Sequence, residues 1–251
     1  MILSLFPGFG LLDMAFEAEG FCIVRGPDLL WGGDIHHFHP PAGVFEGVIG
    51  GPPCQRFSVL QRMNIARGKS LPPNLIPEFE RCVYECQPDW FLMENVPDAP
   101  PAVVAGYDVQ SFLFNNHWLD EDQSRIRRWC WGVRSSSDVP RKLEIEIPAL
   151  HRIDKEPTVT RRATKWENRP GRKPQPRSTI SWKHLRESCR LQGLPEDLFD
   201  RVTPRPFTVE GAQAMIGNGV PLPMGKAMAK AILALYRERE GTQRDLALEK
   251  T

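Results

Sequence analysis

The sequence predicts an α/β protein built on a mostly parallel sheet. Three observations lead there: short apolar runs that end in glycine or polar residues, helical stretches of suitable length between them, and an ordinary globular composition, 41% hydrophobic and 25% charged over 251 residues. The first run, MILSLF, stops at PGFG, and LLDMAFEAEG follows with Leu12, Ala15, Phe16 and Glu19 at helical spacing before Gly20. This is a strand, a glycine turn and a helix. FCIVRG reads as a second strand, FEGVIGG as a third, LIPEFERCVYECQ as a helix, DWFLMENVP as a fourth strand with a polar end, and WCWGVR as another. Strands separated by helices of this length make a parallel sheet with helices on its faces, and such sheets take ligands beyond the carboxyl ends of their strands.

From 134 to 178 prolines recur, and KLEIEIPAL alone alternates like a strand. SWKHLRESCRLQGLPEDL reads as a helix stopped by Gly193. PLPMGKAMAKAILALYRERE reads as a helix with Met224, Ala227, Met228, Ala231 and Leu235 on one stripe. The last ten residues are polar and expected to fray.

Several classes are disfavoured by composition. No apolar run reaches the roughly 18 residues of a membrane span. The N-terminus lacks the basic region and small-residue cleavage site of a leader, so a cytoplasmic protein is expected. Cysteines at 22, 54, 82, 86, 130 and 189 form no C-x-x-C unit, which argues for reduced thiols and against a zinc ribbon. Cys82 and Cys86 share a helical face as small buried hydrophobes. His36, His37 and His39 have no partner at ligand spacing and read as loop residues, so no metal is expected. Residues 134–190 hold 15 Lys/Arg against 7 Asp/Glu, a net +8 within a chain of net +1, whereas residues 1–133 hold 9 against 16. With Trp166 set among cations in RRATKWENRPGRKPQPR, this block is either a solvated linker or a polyanion-binding lobe.

Two stretches carry chemistry. In FPGFG, Gly8 and Gly10 allow a backbone to approach a ligand closely, but the pattern is not G-x-G-x-x-G and does not indicate a pyrophosphate. Asp28 follows the second strand where a carboxylate could hold ribose hydroxyls, and Asp34 of GGDI could bond an adenine amino group. GVIGGPPCQRFS sets Cys54 just past a buried strand, in a loop stiffened by prolines, as a filler, a metal ligand or a nucleophile. The fourth strand ends at the same edge with Glu94. A thiol and a carboxyl group over one pocket suit covalent catalysis on an electron-poor ring.

Taken in order, LFPGFGLLDMAF, GGPPCQRFS, ENVP, QSRIRR, RLQGLPEDL and AMIGNGVPLPMGKAMAKAI resemble the DNA cytosine-5 methyltransferases through almost the whole chain. The resemblance implies a Rossmann-like S-adenosylmethionine-dependent methyltransferase fold. Residues 1–133 would be the catalytic and cofactor-binding domain, 134–180 a short basic target-recognition lobe, and 181–251 a C-terminal return completing the catalytic domain. Cys54 would attack carbon 6 of a cytosine flipped from double-stranded DNA, and Glu94 would hold ring nitrogen 3 and the exocyclic amine. Arg127 would contact the base carbonyl, with Arg125 and Gln123 bracing the site, although alone the arginine pair reads as a surface basic strand. The thiol would need only modest depression by these arginines. S-adenosylmethionine would be held by Phe6, Gly8, Gly10, Leu11, Asp28, Asp34, Ile35 and Pro52, and closed in by Asn218 and Val220, in a segment otherwise read as a plain glycine turn. DNA would meet Gln55, Arg56, Ser58 and Arg62 in a closing loop that runs to Pro77, and Arg161, Arg162, Lys165 and Arg172 of the basic block. A monomer without metal is implied, acting in a bacterial or phage-infected cell as a restriction companion or in phage DNA modification.

The chain departs from the family pattern in three places. It is short, so the recognition lobe is reduced and recognition short or loose. The spacing from the second strand to GGDI is compressed, which weakens the assignment of Asp28. Arg56 stands where the family carries a small residue, as a phosphate contact, a loop salt bridge, or a cation beside the transferred group, as a carboxy-S-adenosylmethionine donor would require. A transfer-RNA cytosine-5 methyltransferase is the alternative in substrate, and a catalytically silent DNA-binding relative is opposed by the intact set of Cys54, Glu94 and Arg127.

Overall fold

A computed structural model describes residues 1–57, 70–151, 155–156, 158–160, 181–201 and 207–248, with side chains in the last helix described to residue 238. Among these residues the apolar runs become strands: β1 (Ile2–Leu5), β2 (Ile23–Arg25), β3 (Gly47–Gly50), β4 (Trp90–Asn95), β5 (Tyr107–Asn115) and β6 (Ile126–Arg134). They form one sheet in the order β2-β1-β3-β4-β6-β5. The first four are parallel to one another, β6 runs antiparallel to β4, and β5, antiparallel to β6, returns to the direction of the first four. Every residue of β1, β3 and β4 is buried, which is why their sequences are continuous apolar runs rather than alternating ones.

The helices cover both faces. Helix α1 (Leu11–Ala18) lies with the long C-terminal helix α5 (Leu222–Leu248) on one face, where Phe16, Met224, Met228 and Ile232 share a cluster with Trp90, Leu92, Trp129 and Trp131. On the other face α2 (Ile76–Cys86) buries Ile76, Phe79, Val83 and Cys86 against Leu3, Val48, Phe91 and Met93. Burying one such side chain contributes about 1.5–3 kcal/mol. Cys82 and Cys86 are both buried there as the spacing predicts. Helix α2 stops at Gln87, whose left-handed backbone donates to the Val83 carbonyl ahead of Pro88.

A third cluster joins Leu11 to the C-terminal return: Leu185 and Leu191 of α3 (Trp182–Leu191), Ile216 of α4 (Val209–Asn218), and Val159. Helix α3 starts with Ser181, which accepts from the His184 N–H while His184 reaches back to the Ser181 N–H, and it stops before Gly193 at φ +74°.

Four readings are corrected. KLEIEIPAL forms no strand; its alternation survives as Leu143 and Ile145 packed on the core from an unpaired extended segment, while Lys142 and Glu144 face water. β5 and α4 were not expected, since YDVQSFLFN mixes polar residues as an edge strand does, and VEGAQAMIGN is rich in small ones. WCWGVR is the C-terminal part of a nine-residue strand that starts earlier, at Ile126, and runs antiparallel to β4. The C-terminal helix runs on to Leu248 instead of fraying over the last ten residues.

Candidate active site

The antiparallel strand decides the geometry. Asn95, the last residue of β4, pairs with Arg128 of β6, so Gln123, Arg125 and Arg127 lie at or beyond the carboxyl edge of the parallel strands. That edge also carries Cys54, which opens a short 3-10 turn (Cys54–Phe57) after β3. Asn95 ties strand to loop, its Nδ2 donating to the Pro52 carbonyl at 3.1 Å inside the protein. Arg128 holds the turn after Glu94 by donating to the Pro97 carbonyl from Nε at 3.1 Å and Nη2 at 2.9 Å.

Glu94 is only 9% exposed, and its Oε1 meets Arg127 Nε at 2.8 Å. Its Oε2 lies against Gly51, where a Cβ would come within 3.3 Å of it, so the glycine leaves the carboxylate room. Burial pushes the Glu94 carboxyl up, opposed by the charges of Arg127 and Arg125. The expectation of a thiol lowered by arginines is reversed. Burial first, then the Glu94 carboxylate, raises the Cys54 thiol by more than Arg127 and Arg125 lower it, because Arg127 is already engaged by Glu94. Since the thiolate is the reactive form, a raised pKa moves reactivity to higher pH. Alkylation of Cys54 by iodoacetamide, read by mass spectrometry of its peptide, is therefore expected to be half-maximal above the pH of about 8.5 typical of a free thiol. Glu94→Gln should bring that midpoint down, and a wild-type midpoint at or below the ordinary value would contradict this account. Cys82 and Cys86, pushed by burial to about 11, provide silent internal controls.

Gln123 and Arg125 are buried and turn toward the protein itself, with Arg125 Nε left without a hydrogen-bond partner. Arg125 donates to the carbonyls of Val159 (2.6 Å), Gly217 (2.9 Å) and Gly219 (3.0 Å). Gln123 donates to the Leu191 carbonyl at 2.6 Å and to Gln192 Oε1 at 3.0 Å, and accepts from the Val159 N–H at 3.2 Å. Gln192, in the RLQGLP stretch and not singled out from sequence, donates in turn to the carbonyls of Ile216 (2.6 Å) and Gly219 (3.1 Å). These amides and one guanidinium join the start of β6 to α3, to Val159 within the basic block, and to the α4–α5 junction.

That junction carries Asn218, exposed, and Val220, buried. A Cβ at Gly219 would lie 2.8 Å from Leu11 Cδ2, so only glycine lets the return dock beside the β1 turn. In that turn Phe6 (φ +55°), Gly8 (+56°) and Gly10 (+89°) are left-handed, a conformation the glycines take freely and Phe6 takes at a cost in backbone strain. Asp28 Oδ2 accepts from the Gly8 N–H at 2.9 Å and Oδ1 from the Leu30 N–H at 2.7 Å, welding the ends of β1 and β2. Asp34 Oδ1 accepts from the His36 N–H at 3.0 Å, the next residue Ile35 is buried, and Pro52 is buried after β3. A Cβ at Gly8 would meet nothing within 4 Å, so this backbone faces open space, bordered by exposed Leu29, Leu30 and Trp31. Open backbone, exposed carboxylates and apolar side chains at one edge fit a nucleoside cofactor.

Gln55 is exposed beside Cys54, and Arg56 Nη1 donates to the Pro72 carbonyl at 3.2 Å. Ser58, Arg62, Arg161, Arg162, Lys165 and Arg172 lie outside the described residues. Among the described residues no group of His, Cys, Asp and Glu could hold a metal ion, and no helix is long and apolar enough to cross a membrane.

Comparison with known proteins matches residues 33–99 to the family described as C-5 cytosine-specific DNA methylase. The chain is similar to the type II methyltransferase M.HindV of Haemophilus influenzae, 26% identical over 94% of this chain and 97% of that protein. It is 32% identical to M.HgiGI of Herpetosiphon aurantiacus over 39% of this chain and 90% of that one. It is 30% identical to M.FnuDI of Fusobacterium nucleatum over 55% of this chain, a match that spans about half (48%) of that relative. A solved DNA modification methyltransferase encoded within an E. coli prophage shares the fold, with a TM-score of 0.61 at 16% identity, covering 94% of this chain and 99% of that one.

Proposed function

The chain belongs to the C-5 cytosine-specific DNA methylases, a family that works with S-adenosylmethionine, and from that premise we propose that it methylates carbon 5 of a cytosine flipped out of duplex DNA through a covalent Cys54 adduct. The observation that carries this reading is the meeting of three features at one edge: Cys54 on its proline-stiffened loop, Glu94 held by Arg127 at 2.8 Å, and Asn95 tying the end of β4 to the Cys54 loop at Pro52.

Flipping costs a few kcal/mol, recovered in pocket contacts. The Cys54 thiol loses its proton to solvent, and the sulfur bonds carbon 6 of the ring. Glu94 stabilises the electron-rich adduct from nitrogen 3 and the exocyclic amine, and Arg127 faces the carbonyl oxygen. Carbon 5 becomes nucleophilic as a result. The cofactor, when bound, supplies an electrophilic methyl group on a sulfonium. Loss of the carbon 5 proton to a solvent base then lets the carbon–sulfur bond break, which returns Cys54. Phe6, Gly8, Gly10 and Leu11 would hold the cofactor from β1, with Asp28, Asp34, Ile35 and Pro52 beside them and Asn218 and Val220 closing the pocket. Residues 134–180 would act as the recognition lobe between the catalytic part, 1–133, and the return, 181–251, in a monomeric cytoplasmic enzyme.

Arg56 reaches across the base of its loop to Pro72, which favours a loop brace over a cation aimed at the transferred group. Incubation with donor labelled in the methyl group, with duplex DNA or transfer RNA, followed by nucleoside mass spectrometry, tests the proposal. Ordinary 5-methylcytosine in DNA is expected, even when the carboxylated donor is supplied as well. Label in transfer RNA alone, or a carboxymethylated base, would overturn the substrate or the donor respectively.

A further inference from the structure

Helix α2 contributes no residue to the chemistry above, yet one of its side chains reaches the loop that carries Asp34. Arg81 Nη2 donates to the Ile35 carbonyl at 2.8 Å, across 46 residues of sequence. The same carbonyl accepts the Phe38 N–H at 3.1 Å, so both of its lone pairs are used. The rest of the guanidinium is held mainly from its own helix, with His39 Nδ1 also 3.3 Å from Nη1. Its Nε donates to Glu78 Oε2 at 2.9 Å and its Nη1 to Glu85 Oε2 at 2.9 Å, while Glu85 also meets His39 Nδ1, at 3.0 Å. The side chain is 26% exposed, so the pairs are partly sheltered.

The loop needs such support. Ile35–His37 is a single 3-10 turn of three residues, too short to hold its own geometry, and Ile35 is its one buried residue. Asp34 caps the turn through the His36 N–H, which fixes the carboxylate relative to the turn but not the turn relative to the sheet. Ile35 does the latter in the core cluster with Phe79 and Val83, Phe38 and His39 hold the end of the loop on the same helix, and Arg81 is the side chain that grips the turn's own backbone at the Ile35 carbonyl. A guanidinium already locked by two carboxylates loses little freedom in making the third contact.

We propose that Arg81 is a positioning residue for the cofactor, clamping the Asp34–Ile35 turn from behind and so setting how tightly the adenine end is held. This rests on the reading of Asp34 as an adenine contact and of Ile35 as a cofactor-binding residue. Arg81 touches neither cofactor nor base, so its loss weakens binding without altering the chemical step.

The test uses the full chain with S-adenosylhomocysteine as the titrated probe, together with steady-state kinetics on duplex DNA. Arg81→Met is expected to weaken S-adenosylhomocysteine binding about tenfold, the scale of one lost charge-assisted hydrogen bond. KM for S-adenosylmethionine should rise equally, with kcat at saturating cofactor within about twofold of wild type, as a loss of uniform binding requires. Arg81→Lys keeps the charge between Glu78 and Glu85 but not the fork, and should fall between the two. It also supplies the measurement should the methionine variant fold poorly. Asp34→Asn, run in parallel, separates the two layers. If Asp34→Asn weakens binding and the Arg81 variants do not, the clamp is wrong. If Asp34→Asn binds like wild type, the adenine reading falls and the clamp's purpose with it. A drop in kcat matching the rise in KM would mark Arg81 as merely structural and also overturn the proposal.

Discussion

Cys54→Ala is expected to lower methyl transfer by more than about 10⁴-fold, since removing a covalent nucleophile costs several orders of magnitude. It should also abolish the denaturation-resistant complex formed with duplex DNA that carries 5-fluorocytosine at the target. With fluorine at carbon 5 no proton can be lost after transfer, so the carbon–sulfur bond cannot break and the wild-type protein stays attached. Unfolding would not account for the loss. Cys54 is half-buried at the start of a short turn, and the loop stays held through the Asn95 contact to the Pro52 carbonyl, so the change in stability should stay within about 1 kcal/mol. Cofactor binding should be unchanged. Activity within tenfold of wild type, or retention of the trapped complex, would remove Cys54 from the mechanism and with it the requirement for Glu94.

Arg125→Met should have the largest effect on stability. The guanidinium is 2% exposed and satisfies three carbonyls, of Val159, Gly217 and Gly219. Methionine reproduces only the aliphatic part of the side chain and offers no donor, so the Val159 and Gly217 carbonyls lose their bonds to Arg125 at about 1–3 kcal/mol each, while Gly219 keeps the donor of Gln192. Part of this is offset, because burial and the nearby Arg127 charge both oppose the Arg125 cation. A net loss of about 2–4 kcal/mol is expected, from the unpaired carbonyls and the lost side-chain volume. For a chain of this size that lowers the melting temperature by about 10 °C. Amides of Gly217 to Val220 should lose hydrogen-exchange protection first, and S-adenosylhomocysteine binding should weaken with them. A melting temperature within 2 °C of wild type would mean that the α4–α5 junction is held by Gln192 without Arg125.

Much of this was legible in sequence because the signals are local. The β1 turn, the Cys54 loop and the end of β4 each declare themselves within about a dozen residues, through apolar runs that stop at glycine, proline or a carboxylate. The structure places all three at one sheet edge. Helix α3 announced its end at Gly193 for the same reason. β5 gave no such signal: as an edge strand it alternates between partial burial and exposure, and Gln110 and Ser111 interrupt any apolar pattern. KLEIEIPAL gave a false one, since alternation reports that one side faces the core and says nothing about a ladder partner.

The sequence by itself determined the family, the α/β class and which cysteine and carboxylate to examine, because each is written in contiguous residues whose backbone requirements are local. Only the tertiary structure decided how these groups act on one another. The reversal of β6 carries Arg127 to Glu94, and burial, joined by the Glu94 carboxylate, leaves the Cys54 thiol raised instead of lowered. It also turned Gln123 and Arg125 inward onto carbonyls of Val159, Leu191, Gly217 and Gly219, and brought Arg81 onto Ile35. Burial and pairing depend on partners tens of residues away, and no local pattern encodes the distance between them.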